Sequence, residues 1–470
     1  MTNSSFPADG LPAPKSVPEL DPNFRPAALA ATAFEAAVLE AGCAVPVQIA
    51  LEQPGGTFPF DLVLAEPAHP LAVHNARHLI RFVKFLLWSR GGFRVHVSGA
   101  KWAVDLLQKH FQTNKTGIFD ADLMGRRIYE KPFEVVFAPK PVAASTRAAQ
   151  ALGGHTKGCR VGFDLGASDR KAAAVMDGEV IYTEEVEWNP TKATDPAWHF
   201  EQIMASLKSA ASHLPRVDAI GGSSAGVIVH NRVRVASLFR SVPAEQFDSR
   251  VSPIFFELQK AWNGIPFEVA NDGEVTALGA AQALNAGAVL GIALGSSEAV
   301  GYVTPDGNIT PWLNELAFAP IDDRADAPPD EWSGDLGVGA QYLSQQAVNR
   351  LLKPAGIELP AGMPLPEKLV QVQNLMKAGD PRAVKIYRTI GVFLGHAVAQ
   401  YARFYDIRNV LILGRVTSGE GGAILLAEAE KALQTDYPER AKTIQWHTPD
   451  ERSKRHGQAV TAAGLAEVKS

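Results

Sequence analysis

The residues best suited to chemistry in this chain sit on turns, and two of those turns are copies of one another. Gly162–Ile181 reads GFDLGASDRKAAAVMDGEVI, and Gly291–Thr310 reads GIALGSSEAVGYVTPDGNIT. They align without a gap, with Gly166 on Gly295, Ser168 on Ser297 and Gly178 on Gly307. Each copy predicts an apolar strand, a Gly-Ser turn, a second strand and an Asp-Gly turn into a third. Such a turn can offer backbone N–H groups and hydroxyls to a polyphosphate, because glycine permits close approach and serine adds donors. Asp164 ends the first strand, where a carboxylate can hold Mg²⁺ through water. Ala293 stands at that position in the second copy. One turn would then serve the metal and the transferred phosphate, while Gly295-Ser296-Ser297 would cradle the remaining phosphates. A single copy would read as a plain hairpin with an exposed acid; the duplication favours the phosphate reading.

Asn271-Asp272 lies between the two turns, after the apolar strand Pro266–Ala270 and before a small-residue helix over Glu274–Ala286. A carboxylate there can accept the proton of a hydroxyl attacking a phosphate. Aspartate is also a common helix N-cap, and the position between two Gly-Ser turns is what favours the base. Glu315, in Trp312–Leu316, can bind sugar hydroxyls bidentately, with a surface glutamate as the default. Leu411–Arg415, followed by Ser418–Gly422, reads as strand, glycine and helix. That arrangement can receive a flat ring or a ribose, though it recurs throughout α/β proteins.

These residues need elements to position them. Strand-rich and helix-rich stretches alternate, which predicts an α/β fold. Residues 1–26 read as a flexible arm and 27–145 as an accessory α/β domain. Within that domain Val45–Glu52 and Phe60–Ala65 are expected strands, Pro70–Arg90 a helix and Tyr129–Phe137 an extended segment. Residues 146–158 read as a linker, 159–285 as a first lobe and 286–470 as a second, with a C-terminal helix that can return to the first. The chain has 470 residues and a net charge of −5, which argues against non-specific nucleic-acid binding. Its two cysteines, Cys43 and Cys159, lie far apart without metal-ligand spacing. No secretory signal pattern or membrane-length apolar run is evident, so a cytoplasmic protein is expected.

Taken together, the motifs resemble the sugar-kinase, heat-shock-protein and actin superfamily, and residues 159–467 resemble its ROK family (repressors, open reading frames and kinases). Asp164–Ser168 is similar to that family's first phosphate motif. Gly221–Phe239 is similar to its loop before the sugar site, Asn271-Asp272 to its Asn-Asp pair and Gly295–Ser297 to its second phosphate motif. Glu315 matches its sugar-binding glutamate and Leu413–Arg415 its adenosine-side glycine region. The resemblance implies a duplicated ribonuclease-H-like (actin-like) two-lobed ATPase fold with an additional N-terminal α/β domain. It implies ATP-dependent phosphorylation of a hexose-type hydroxyl with Asp272 as catalytic base. The sugar would meet Ser224, Gly226, Asn231, Asn271, Glu315 and Gln341. ATP would meet Asp164, Gly166, Ser168, Lys171, Gly295, Ser296, Ser297, Gly414 and Arg415, with Mg²⁺ near Asp164 through water. A homodimer is expected at the family level.

The chain departs from the family pattern in places. Phe318 stands where many members carry a histidine, and Trp332–Gln341, in place of a cysteine-rich zinc loop, contains no cysteine. Structural zinc is therefore not expected. Gln341 replaces a sugar-binding glutamate. The competing reading is a catalytically silent, sugar-responsive regulator. An N-terminal domain that reads as mixed α/β rather than helix-turn-helix, together with the retained Asp272, favours the enzyme. An activator ATPase would need cluster-binding cysteines that this chain lacks.

Overall fold

The first repeat builds a five-stranded sheet in a computed structural model that describes residues 6–146, 153–448 and 453–468. Cys159–Leu165, Asp169–Met176 and Glu179–Glu187 form an antiparallel meander. Ala219–Ser224 and then Phe267–Asn271 add in parallel on the other side of Cys159–Leu165. Every residue of Cys159–Leu165 is buried, as expected of a strand covered on both faces. Val161 and Phe163 face one way, into a core with Ile203 and Leu207 of the helix Pro196–Ala211. Gly162 faces the other way, toward the C-terminal helix Ser453–Ala463. A side chain there or at Gly221 would run into the backbone carbonyls of Ala459 or Ala462. Glycine at both positions is what allows that helix to lie on the sheet.

The second repeat builds the same plan in shorter form. Val289–Leu294 and Glu298–Val303 pair antiparallel, and Asn409–Leu413 and Gln445–His447 add in parallel. The third meander strand expected after Asp306-Gly307 is reduced to a single bridge, Val303 to Ile309. Beyond Ile309 the chain turns to another partner, where Pro311 O accepts from Gln53 Nε2 at 3.0 Å. The helix Asp272–Leu284 joins the lobes. Its small residues let it press on the second sheet, since a side chain at Gly273 would meet Val300 O at 2.5 Å.

The N-terminal part has its own sheet, in the order Glu134–Phe137, Arg94–Ser98, Ala44–Gln53, Gly56–Ala65 and Ser145–Thr146. Its core is continuous with that of the second lobe. Phe85 stacks on Phe404 at 4.2 Å, and Phe24 packs against Tyr342 and Phe393. The helix Asn75–Arg90 faces the second lobe with charged side chains as well. Lys84 bonds Asp120 and Asp335 at 2.7 and 2.6 Å, and Arg81 bonds Asp323 at 2.9 Å.

Three local expectations differ from the structure. Residues 6–26, read as an arm from composition, are packed: Phe6 lies against Phe34 and His74 of the N-terminal unit and Arg77 donates to Asp9 O and Gly10 O, while residues 15–26 run along the second lobe. Asp436 accepts from Lys15 N and Ser16 N, Asp21 pairs with Arg324 and Arg350, and Phe24 is fully buried. One aromatic ring and one acid anchor a stretch that its prolines and serines made look mobile. Of Tyr129–Phe137, only Glu134–Phe137 is a strand; Leu123–Tyr129 is a wide helical turn that buries Ile128 and Tyr129. A hairpin of Val227–Val229 and Arg232–Val235, absent from the sequence reading, follows Gly226. The core of the expected linker, 147–152, lies outside the described residues.

Candidate active site

Parallel register brings the first lobe's polar residues to one sheet edge. Asp164 stands opposite Ser223, and Ser224 opposite Asn271. Asn271 is the N-cap of the helix Asp272–Leu284, with its Oδ1 accepting from Gly273 N and its Nδ2 donating to Gly226 O, both at 2.8 Å. The capping role thus falls on Asn271, and Asp272 opens the helix with a half-buried carboxyl whose Oδ1 accepts from Gly273 N at 2.9 Å. Burial and the neighbouring Asp164 hold that carboxyl up at about 6, against the Gly273 N–H.

Asp164 is buried, with Oδ1 accepting from Ser223 Oγ at 2.7 Å and Oδ2 lying 3.5 Å from Lys171 Nζ. Burial raises its pKa, against Lys171 and Ser223. Lys171 also bonds Asp169 at 2.6 Å. Among the described residues no group of three or more His, Cys, Asp or Glu side chains is placed to hold a metal. One carboxylate with a hydroxyl beside it fits Mg²⁺ arriving on a nucleotide and reached through water.

The first Gly-Ser turn meets the second lobe through Arg415, which follows Gly414 beside the second Gly-Ser turn. In the first, Gly166 N donates to Asp169 O at 3.0 Å, and Ser168 Oγ donates to Asp169 Oδ2 at 2.9 Å. Arg415 of the second lobe donates from Nη2 to Ser168 Oγ at 3.3 Å. Gly414 has φ 104° and lies so close to the second turn that a side chain would meet Leu294 O at 2.5 Å. Only glycine tolerates both conditions. In the second turn Gly295 N donates to Ser297 O at 3.0 Å, and Gly295 O accepts from Gln345 N at 2.9 Å. Ser296 is exposed and Ser297 half-buried.

Glu315 lies near Asp272, whose charge adds to burial in holding the Glu315 carboxyl up at about 8. Two further acids stand beside it. Glu274 is pushed to about 8 by burial, with Glu315 and Asp272 adding to it and Asn271 N–H and the Asn314 amide opposing. Glu298 is likewise pushed to about 8 by burial, against a hydrogen bond from Tyr401 OH at 2.8 Å. Sequence reading missed both. Their signals were single charges set among small residues in the helix and among apolar residues in the strand.

Asn231 spends its amide on the backbone of Phe267–Asn271, accepting from Val269 N at 2.7 Å and donating to Phe267 O at 2.9 Å. It supports the strand that ends in Asn271, just ahead of Asp272. Gln341 is buried, and its Nε2 donates to Gln346 Oε1. Ser224 is buried within its strand, and Gly226 adopts φ 112° at the head of the hairpin.

No protein-family model and no curated protein matches the chain. Solved structures do. A ROK hexokinase from Thermus thermophilus is 18% identical with a TM-score of 0.50, over 66% of this chain and 97% of that one. A ROK family transcriptional regulator, a homolog of the E. coli MLC protein, is 17% identical with a TM-score of 0.52, over 77% of this chain and 87% of that one. The resemblance to ROK proteins read from the motifs is borne out in the fold. No helix among the described residues is long and apolar enough to cross a membrane.

Proposed function

We propose that this protein transfers the γ-phosphoryl group of ATP to a hydroxyl of a hexose-type sugar. The observation that carries this reading is Asp272. Its carboxyl opens a helix at the sheet edge that also holds Asp164, near the cross-lobe contact of Arg415 with Ser168. Held near 6, it is ionised at neutral pH yet basic enough to take a proton in the transition state. The hydroxyls of Ser168, Ser296 and Ser297 would orient the phosphates, on turns that Gly166 and Gly295 close with their own N–H groups and where the absence of a side chain leaves room for phosphate, with Lys171 and Arg415 countering the charge. Mg²⁺ entering with the nucleotide, near Asp164, would neutralise the phosphate oxygens. Glu315, Glu274 and Asn271 would receive sugar hydroxyls, and Asp272 would accept the proton as the attacking oxygen bonds to phosphorus and ADP leaves. The hexokinase likeness supports the reading in fold alone.

A second reading, a sugar-responsive regulator, is favoured by one observation: the likeness to the solved regulator spans more of this chain than the likeness to the hexokinase. A coupled ADP-release assay across neutral and N-acetylated hexoses tests the first reading. Sugar-dependent release is expected. Sugar binding without turnover, together with a sugar-dependent shift of DNA in a gel, would replace the kinase by the regulator.

A further inference from the structure

The acid segment of the candidate sugar site is held from outside both lobes. The last turn of the helix Asn75–Arg90 leaves carbonyls without helical partners, and the segment supplies their donors. Asn314 N donates to Ser89 O and Glu315 N to Trp88 O, both at 3.0 Å. Gln53 Nε2 donates to Pro311 O and to Arg90 O at 3.0 and 3.1 Å. Arg90 itself is 1% exposed. Its guanidinium lies 3.6 Å from the ring centre of Trp312 and 4.3 Å from that of Tyr405, and donates to Phe404 O. Aromatic faces are thus what stabilise this buried cation. Tyr405 OH in turn donates to Asn314 Oδ1 at 2.9 Å. Asn314 adopts φ 53° and stands beside Glu274.

We infer that the N-terminal unit is a built-in wall of the sugar site, and that Arg90 is a positioning residue that fixes Glu315 through Trp312, Tyr405 and Asn314. The inference rests on the kinase reading for its substrate and deepens it. The sugar's acid contact is set by a domain that lies outside the two-lobed fold. Arg90 touches neither sugar nor nucleotide. It determines where the segment 312–315 sits, and so how well the sugar fits.

The test uses the full chain and Arg90→Met, Arg90→Lys and Tyr405→Phe variants. Two measurements are made on each: amide hydrogen exchange over residues 312–318 in the ligand-free protein, and steady-state kinetics against the sugar that the wild type phosphorylates. Arg90→Met is expected to speed exchange at Asn314 and Glu315 about tenfold or more. It should raise the sugar KM about tenfold with kcat changed much less and the ATP KM unchanged. Arg90→Lys, which keeps a cation on the rings, should recover part of both. Tyr405→Phe, which removes only the hydroxyl on Asn314, should shift both in the same direction by less. It decides the matter if Arg90→Met fails to fold. Wild-type exchange at 314–315 in whichever of Arg90→Met and Tyr405→Phe folds overturns the inference, as does an equal fall in kcat for all substrates without a KM change. A wild type that phosphorylates no sugar would end the kinase reading alone, and the exchange measurement would still decide the positioning role.

Discussion

Asp272 carries its proton further into the neutral range than an ordinary aspartate, and its function as a base depends on losing it. Its pKa of about 6 is set by burial and then by Asp164. The sign follows: below about 6 the carboxyl is protonated and cannot accept, so kcat/KM for the sugar should fall on the acid side with an apparent pKa near that value. Asp164→Asn removes the neighbouring charge. Turnover should drop, and the acid limb of the remaining profile should move to lower pH. Arg415 makes a second residue-level prediction. Arg415→Ala removes the cross-lobe bond to Ser168, and the ATP KM should rise about three- to thirtyfold while sugar binding is retained. The placement of Asp164, Asp272 and the two Gly-Ser turns at strand ends was legible because their short motifs follow apolar runs. The pairing of the Asn231 amide with the strand beside it was not legible, since no local signal shows where an amide spends its hydrogen bonds.

At the scale of elements, the duplicated meander was legible because its glycines and apolar runs recur in both copies. The shortening of the second copy's third strand was not. Asp306-Gly307 makes the turn, but the continuation is drawn off by Gln53 of the N-terminal sheet, a tertiary contact that no local pattern encodes. The C-terminal helix offers a test of how tightly the elements are packed. Gly162→Ala would drive a methyl group into the Ala459 carbonyl. The substitution should destabilise the protein by about 1–3 kcal/mol, read as a lower denaturation midpoint, with faster amide exchange in residues 457–463. The exposed Gly419, which has φ 76° but no such neighbour, should leave the exchange of that helix unchanged when replaced.

At the scale of the whole molecule, the N-terminal unit and the second lobe share one apolar core, and the first lobe has its own. That continuity could not be read from composition, because the N-terminal part of the core, which runs to Val135, and the second-lobe part, which begins at Leu290, are separated in sequence by the whole sheet of the first lobe. Calorimetry should therefore show the N-terminal unit and second lobe melting together, with any separate transition belonging to the first lobe. Acid burial adds a pH dependence. Glu274, Glu298 and Glu315 are held at about 8 in the folded chain, against an ordinary 4.5. Between those values the folded state binds more protons than the unfolded state, so stability falls as pH rises and levels off above about 8. The melting temperature of the ligand-free protein should decline from pH 5 to 8, and Glu298→Gln should make that decline shallower.

The central claim is that a carboxylate between two phosphate-binding turns takes the proton of a sugar hydroxyl. Single-turnover transfer from γ-labelled ATP, in the wild type and in Asp272→Asn with the best sugar at pH 7.5, tests it most directly. The amide keeps the shape of the side chain but cannot accept the proton. The transfer rate should fall about 10²- to 10⁴-fold while the Kd for nucleotide stays within about threefold. Transfer in the variant at the wild-type rate would contradict the account.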